Sequence, residues 1–165
     1  MIYTGVYDSP LGKINLAGNE AGLSGLWLEG QKYFASGISE PCEPGEPEVF
    51  RKTRKWLEIY FSGKEPDFTP SLYLKGTPFQ KSVWEILLTI PYGKTMTYGE
   101  IAAQIAKERK IKRMSAQAVG GAVGKNPISL IVPCHRVIGS DGSLTGYAGG
   151  IEKKRVLLEL EKGIR

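Results

Sequence analysis

The sequence predicts an α/β protein of the α+β kind, built as two modules. Residues 1–76 read as a small antiparallel sheet with one helix, and residues 77–165 as a mostly helical unit containing a helix-turn-helix. Three observations predict this. Short β-rich runs broken by turn residues fill the first third, and apolar residues recur at helical spacing from Thr77 onward. The charge also divides unevenly: residues 1–78 carry 8 Lys/Arg against 10 Asp/Glu, for −2, while residues 79–165 carry 14 against 7, for +7.

IYTGVY alternates and stops at the turn cluster DSPLG; KINLAG, the turn NEAG and LSGLWLEG follow, which is the pattern of a meander. Cys42 falls in EPCEPGEPE, read as an acidic, Pro-rich loop. In EPEVFRKTRKWLEIYFSG, Phe50, Trp56, Leu57, Tyr60 and Phe61 fall near one helical face, and Gly63 ends the helix. Residues 64–76 form a Pro/Gly-bearing connection, where the module boundary is placed. Thr77-Pro78 is an N-cap followed by proline at the first helical position; Phe79, Val83, Ile86, Leu87 and Ile90 repeat helically until PYGK. Thr97-Tyr98-Gly99-Glu100 is a capping box opening TYGEIAAQIA. The basic run KERKIKR follows; Ser115 caps SAQAVGGAVGKNP; ISLIV leads into Pro133-Cys134; and a Gly-rich loop precedes the amphipathic helix IEKKRVLLELEKG.

Composition narrows the function classes. Hydrophobic residues at 41% and charged residues at 24% suit a globular chain, and no apolar run reaches the roughly 20 residues that span a bilayer. The start has neither a basic nor an apolar leader segment, so no secretory signal is expected. Two cysteines in such different settings read as unpaired thiols of a reducing, cytoplasmic compartment. One His and two Cys cannot supply the four Cys/His ligands of a structural zinc site, so no metal is expected; no cofactor is expected either. The basic half suits a polyanion, or simply a soluble surface.

The two central helices could be a DNA-reading pair or two packed core helices. SAQAVGGAVG lacks the Arg and Asn that read base edges, and Gln117 is its only long polar side chain. Each glycine costs roughly 1 kcal/mol against Ala in a helix, so something must come close to this surface, either a neighbouring helix or a nucleic-acid backbone. Such a helix would bind duplex with little sequence preference.

LIVPCHRVIG holds the single histidine, directly after Cys134. A thiol with a pKa near 8.5 needs a base or a cation to become a nucleophile. His135 is adjacent and Arg136 adds charge. In an extended segment adjacent side chains diverge, so a bridging water would couple Cys134 to His135. A buried, inert thiol beside a surface histidine remains the bland reading of the pair alone.

The wider string GKNPISLIVPCHRVIGSDGSLTGYAGG resembles the signature of the O(6)-alkylguanine-DNA alkyltransferases, the methylated-DNA–protein-cysteine methyltransferases. The resemblance runs from TPFQKSVWEIL to VLLELE, covering the basic half; the N-terminal half agrees only in element order. It implies an RNase H-like N-terminal module. It also implies irreversible, single-turnover transfer of one alkyl group from O(6)-alkylguanine, with O(4)-alkylthymine as a further substrate, by a monomer acting on duplex DNA after nucleotide flipping. Cys134 would be the acceptor, His135 would draw its proton through water, Glu161 would orient His135, and Asn126 would brace the turn. Tyr98 would donate to the guanine ring; Val137, Tyr147, Ala148 and Ser129 would line the pocket. The DNA-facing set would be Ala116, Gln117, Ala118, Gly120, Lys125, Arg136 and Ser140. Where many relatives carry an arginine that fills the gap left by the extruded base, this chain has Gln117; the basic run 107–113 is expected to compensate. The competing readings are a sequence-specific helix-turn-helix regulator and a cysteine hydrolase.

Overall fold

The computed structural model describes residues 1–30, 41–144, 146–147 and 149–162. Its N-terminal sheet has the order β3-β2-β1-β4. β1 (Ile2–Ser9), β2 (Gly12–Asn19) and β3 (Gly22–Leu28) form the antiparallel meander that the turn clusters dictate. β4 (Cys42–Pro44) corrects the loop reading of this acidic stretch: it pairs in parallel with β1, Ile2 opposite Cys42 and Thr4 opposite Pro44. Three residues including a proline give no periodicity, so the free edge of β1, not the segment's own preference, makes this a strand.

Helix α1 (Glu48–Phe61) lies against the sheet and buries Val49, Phe50, Thr53, Trp56, Leu57 and Tyr60; of the predicted face Phe61 is only half-buried, and Val49 and Thr53 are added. Thr53 satisfies its hydroxyl on the Val49 carbonyl at 2.7 Å. In the second half α2 (Pro78–Leu87), α3 (Tyr98–Glu108) and α4 (Ala116–Gly124) pack on one another. Thr77 and Thr97 each accept from the third helical backbone N–H, and Gln80 and Glu100 reach back to close both capping boxes. Ser115 caps α4 through the Ala118 N–H. α2 ends at Leu87, one turn short of the expected Ile90, which instead closes a tight turn onto Leu87. α5 (Ile151–Glu161) turns Lys154, Leu157, Leu158 and Glu161 inward at i, i+3, i+4 and i+7.

Two features join the halves and position the site. The outer edge of β3 accepts both the connection and the segment before Cys134. Leu23 donates to the Ser71 carbonyl at 2.8 Å, and Leu26 donates to the Pro127 carbonyl at 2.9 Å while accepting from the Ser129 N–H at 3.0 Å. A single apolar core then runs from Leu26, Leu28 and Tyr60 to Trp84, Ile128, Cys134 and Leu157. β5 (Met96–Thr97) also pairs in parallel with β6 (Val137–Ile138), Met96 opposite Val137, which brings the start of α3 beside the Cys-His-Arg tripeptide.

Candidate active site

Residues 126–132 do not form a strand. They fold as a tight turn braced by Asn126, whose Nδ2 donates to the Val132 carbonyl at 2.8 Å and whose Oδ1 accepts from the Ile128 N–H at 3.0 Å. At its apex Leu130 is buried at φ +70°, a conformation unusual for a branched side chain and held here by the bonds around it. Cys134–Arg136 then form a 3-10 turn, not the extended segment expected from the sequence, because Pro133 breaks the run and Arg136 N–H bonds back to its carbonyl at 3.0 Å.

Cys134 is 5% exposed. Burial pushes its thiol above the ordinary range, offset in part by hydrogen bonds with Asn126 and Ser129 and by the Lys154 charge. His135 is fully buried. Its Nε2 lies 2.5 Å from Glu161 Oε2, while its Nδ1 has no hydrogen-bond partner among the described residues. An ionised carboxylate only accepts, so Nε2 carries the proton and Nδ1 is the free base site. Burial lowers the imidazole pKa despite Glu161, which keeps the ring neutral.

Glu161 is the hub. Burial alone would raise its carboxyl, but the hydrogen bond from His135 and the bonds and charge of Arg136 hold it down to about 2. It also accepts from the Tyr60 hydroxyl at 2.6 Å and from the Gly93 N–H at 3.1 Å. Arg136 is a correction to the DNA-facing set. It is 8% exposed, its Nη1 donates to the Ile90 carbonyl at 2.7 Å, and its remaining donors grip Glu161. A charge this deep needs a fixed counter-charge, which Glu161 supplies.

Tyr98 is half-buried, and burial and the nearby Cys134 raise its pKa, so its hydroxyl stays a donor. Its ring lies against Gly120 of α4, and a Cβ on Gly146, at φ +72°, would come within 3.0 Å of its hydroxyl. Tyr147 and Ser129 are buried beside the thiol, and Val137 is buried in β6. A Cβ on Gly149 would strike both Leu28 and the Tyr147 ring at 2.8 Å, so the sheet closes this wall. Ala148 lies outside the described residues. Ala116, Gln117, Ala118, Lys125 and Ser140 are exposed and Gly120 half-buried. Nothing lies within 4 Å of a Cβ placed on Gly121 or Gly124, so no described neighbour explains those glycines. The Trp84 indole donates to the Ala122 carbonyl at 2.9 Å and fixes α4 from beneath.

Sequence reasoning missed Tyr60 and Lys154. Lys154 is wholly buried, and burial drops its ammonium to about 8 although the Cys134 charge opposes the fall. A lysine on the same helical stripe as Leu157 and Leu158 was the available signal. Among the described residues no group of His, Cys, Asp and Glu is arranged to hold a metal, and no helix is long and apolar enough to cross a membrane.

Two family models match the chain: the ribonuclease-like domain of 6-O-methylguanine DNA methyltransferase over residues 2–74, and the DNA binding domain of the same family over residues 78–163. A methylated-DNA–protein-cysteine methyltransferase of Methanosarcina barkeri is 50% identical over 163 residues, covering 98% of both chains. One of Mycobacterium tuberculosis is 49% identical over 162 residues, covering 98% of this chain and 93% of its own. The crystal structure of Mycobacterium tuberculosis OGT in complex with DNA superposes with a TM-score of 0.84 at 46% identity, covering 98% of this chain and 93% of that one.

Proposed function

The chain belongs to the 6-O-methylguanine DNA methyltransferase family, and on that premise we propose that it repairs alkylated duplex DNA by moving one alkyl group from guanine O(6) onto Cys134. The observation that carries this reading is a nearly enclosed thiol next to a neutral histidine whose Nε2 is locked onto Glu161 and whose Nδ1 is free.

The thiol proton passes through a water to His135 Nδ1, and Glu161 stabilises the imidazolium that results. The thiolate attacks the alkyl carbon. The S–C bond forms as the C–O(6) bond breaks, and the electron pair stays on guanine. Tyr98 donates to the departing base, and the proton lost by the thiol is returned to the guanine ring, so charge and atoms balance. The thioether has no leaving path, so each chain acts once. Asn126 and Ser129 hold the thiol side; Val137, Tyr147 and Ala148 hold the base. No cofactor is needed, because the acceptor is the chain itself.

Ala116, Gln117, Ala118, Gly120 and Lys125 present the duplex-facing surface, with Ser140 at its edge. The open face of Gly121 and Gly124 supports close approach of a groove about 6 Å wide. A regulator that reads sequence finds little support in α4, since Gln117 is that helix's single long polar side chain. Cysteines in such different settings, Cys42 exposed and Cys134 buried, support a reducing, cytoplasmic compartment, and the division at residues 76/77 follows the Pro/Gly-bearing connection. The chain is proposed to act as a monomer.

Mass spectrometry tests the reading. After incubation with a duplex containing O(6)-methylguanine, the Cys134 peptide should gain one methylene unit, once per chain, and Cys134→Ser should gain none. An adduct elsewhere, or none, overturns it.

A further inference from the structure

Tyr60 belongs to α1, in the half of the chain that carries neither the thiol nor the proposed DNA surface. It is fully buried, its ring stacked on Trp56 at 5.1 Å and meeting Tyr92 at 6.2 Å and His135 at 6.4 Å edge-on. Phenylalanine would fill that slot equally well, since nothing in the ring packing calls for a hydroxyl. The hydroxyl nevertheless ends at the reactive network: it donates to Glu161 Oε2 at 2.6 Å and lies 3.4 Å from His135 Nε2. Oε2 is the same oxygen that accepts from His135, and Arg136 spans the carboxylate with Nε on Oε1 and Nη2 on Oε2, while the Gly93 N–H holds Oε1.

We propose that Tyr60 is a positioning residue for alkyl transfer, its hydroxyl sharing Glu161 Oε2 with His135 so as to fix the imidazole's Nε2–H tautomer and moderate its basicity. This rests on the Cys134–His135–Glu161 reading above. Two consequences follow from the shared oxygen. First, the Tyr60 donor holds Oε2 toward Nε2 within the carboxylate plane that Arg136 spans, so Nδ1 stays the base. Secondly, a third donor on Oε2, beside His135 Nε2 and Arg136 Nη2, draws further charge from it, so the carboxylate stabilises the imidazolium less than it would without the hydroxyl. The charged and titratable groups around His135 are Glu161 and Lys154 from α5, Arg136 and Cys134 from its own turn, and Tyr60 from α1, with Tyr92 behind Tyr60 and Arg136. Of these, Tyr60 alone is an O–H donor within reach of Oε2 on the described side chains. Burial and the Glu161 charge hold its own pKa well above the usual range, so it remains protonated. The N-terminal half thereby contributes one side chain to the chemistry as well as a scaffold.

The chain has a single histidine, so its two ring nitrogens can be followed alone by NMR in the full-length protein labelled with 15N-histidine. The wild type should show Nε2 protonated and Nδ1 bare at neutral pH. Tyr60→Phe should raise the His135 pKa, move the acid limb of the methyl-transfer rate to higher pH and slow transfer from an O(6)-methylguanine duplex about tenfold. On a Glu161→Gln background the same change should do nothing further. A fluorotyrosine placed at position 60 keeps the shape and donates more strongly, so it should lower the His135 pKa; this variant decides the matter if Tyr60→Phe does not fold. An unmoved His135 pKa in the folded variants, or an equal rate loss with and without Glu161, overturns the proposal while the Cys134 adduct stands. Absence of that adduct from the wild type takes down both readings.

Discussion

Arg136 grips both oxygens of Glu161, with Nε on Oε1 at 2.8 Å and Nη2 on Oε2 at 3.1 Å, inside a site whose carboxylate side chain is fully buried. Glu161→Gln strands that guanidinium and should destabilise the chain by about 3–5 kcal/mol at pH 7. The carboxyl's folded pKa, about 2, lies below its ordinary 4.5, so its stabilisation is complete above about 4.5 and is lost as pH falls toward 2. Urea unfolding should therefore show the gap between wild type and Glu161→Gln narrowing through that window. A gap that stays constant would falsify the ionised-hub account.

Lys154 offsets part of the burial that opposes thiolate formation at Cys134. Lys154→Met keeps most of the side chain's length and removes the charge. The thiol should become harder to ionise, and alkylation at neutral pH should slow roughly tenfold for each pKa unit gained. A pH titration of Cys134 alkylation with a small electrophile, which needs no DNA, measures this directly.

Tyr98→Phe leaves the ring against Gly120 and removes only the hydroxyl beside Gly146. Duplex affinity should be retained, while the single-turnover methyl-transfer rate falls on the order of 10²-fold. Equal losses in binding and rate would instead make Tyr98 a groove contact.

Gln117 is exposed at the start of α4, on the surface proposed to meet the duplex. Gln117→Arg should tighten duplex binding and steepen the slope of log K against log salt by about 0.9. Replacing Lys107, Arg109, Lys110, Lys112 and Arg113 by Ala should weaken binding and flatten that slope. Fluorescence anisotropy across a salt series reads both.

Asn126→Ala removes the donor to Val132 and the acceptor for Ile128 around the strained Leu130. The Ile128 N–H is left without its partner, while the Val132 carbonyl keeps the Cys134 N–H, at a cost of about 1–3 kcal/mol. Thermal melting should show that loss, and methyl transfer should slow in the fraction that stays folded.

The caps at Thr77, Thr97 and Ser115 were legible because each is local: a side chain bonds a backbone N–H three residues on. Cys134 and His135 stand out in the sequence because they are neighbours, whereas Glu161 enters only through resemblance. Tyr60 and Lys154 were not, since each reaches the site from another element and looks, in sequence, like one more residue on a helical stripe. Arg136 was misplaced toward DNA because a charge beside a basic surface reads as exposed until a buried counter-charge is known. β4 was hidden because a parallel edge pairing leaves no alternation in three residues.

The bonds from Leu26 to Pro127 and Ser129 carry a consequence for biosynthesis. During translation the meander emerges complete while the segment that caps its outer rim is still being made. Until residue 129 clears the ribosome, that rim offers unpaired backbone groups to any other nascent chain. The same late arrival that assembles the reactive turn closes this window, so a premature stop before it would leave a fragment prone to clumping.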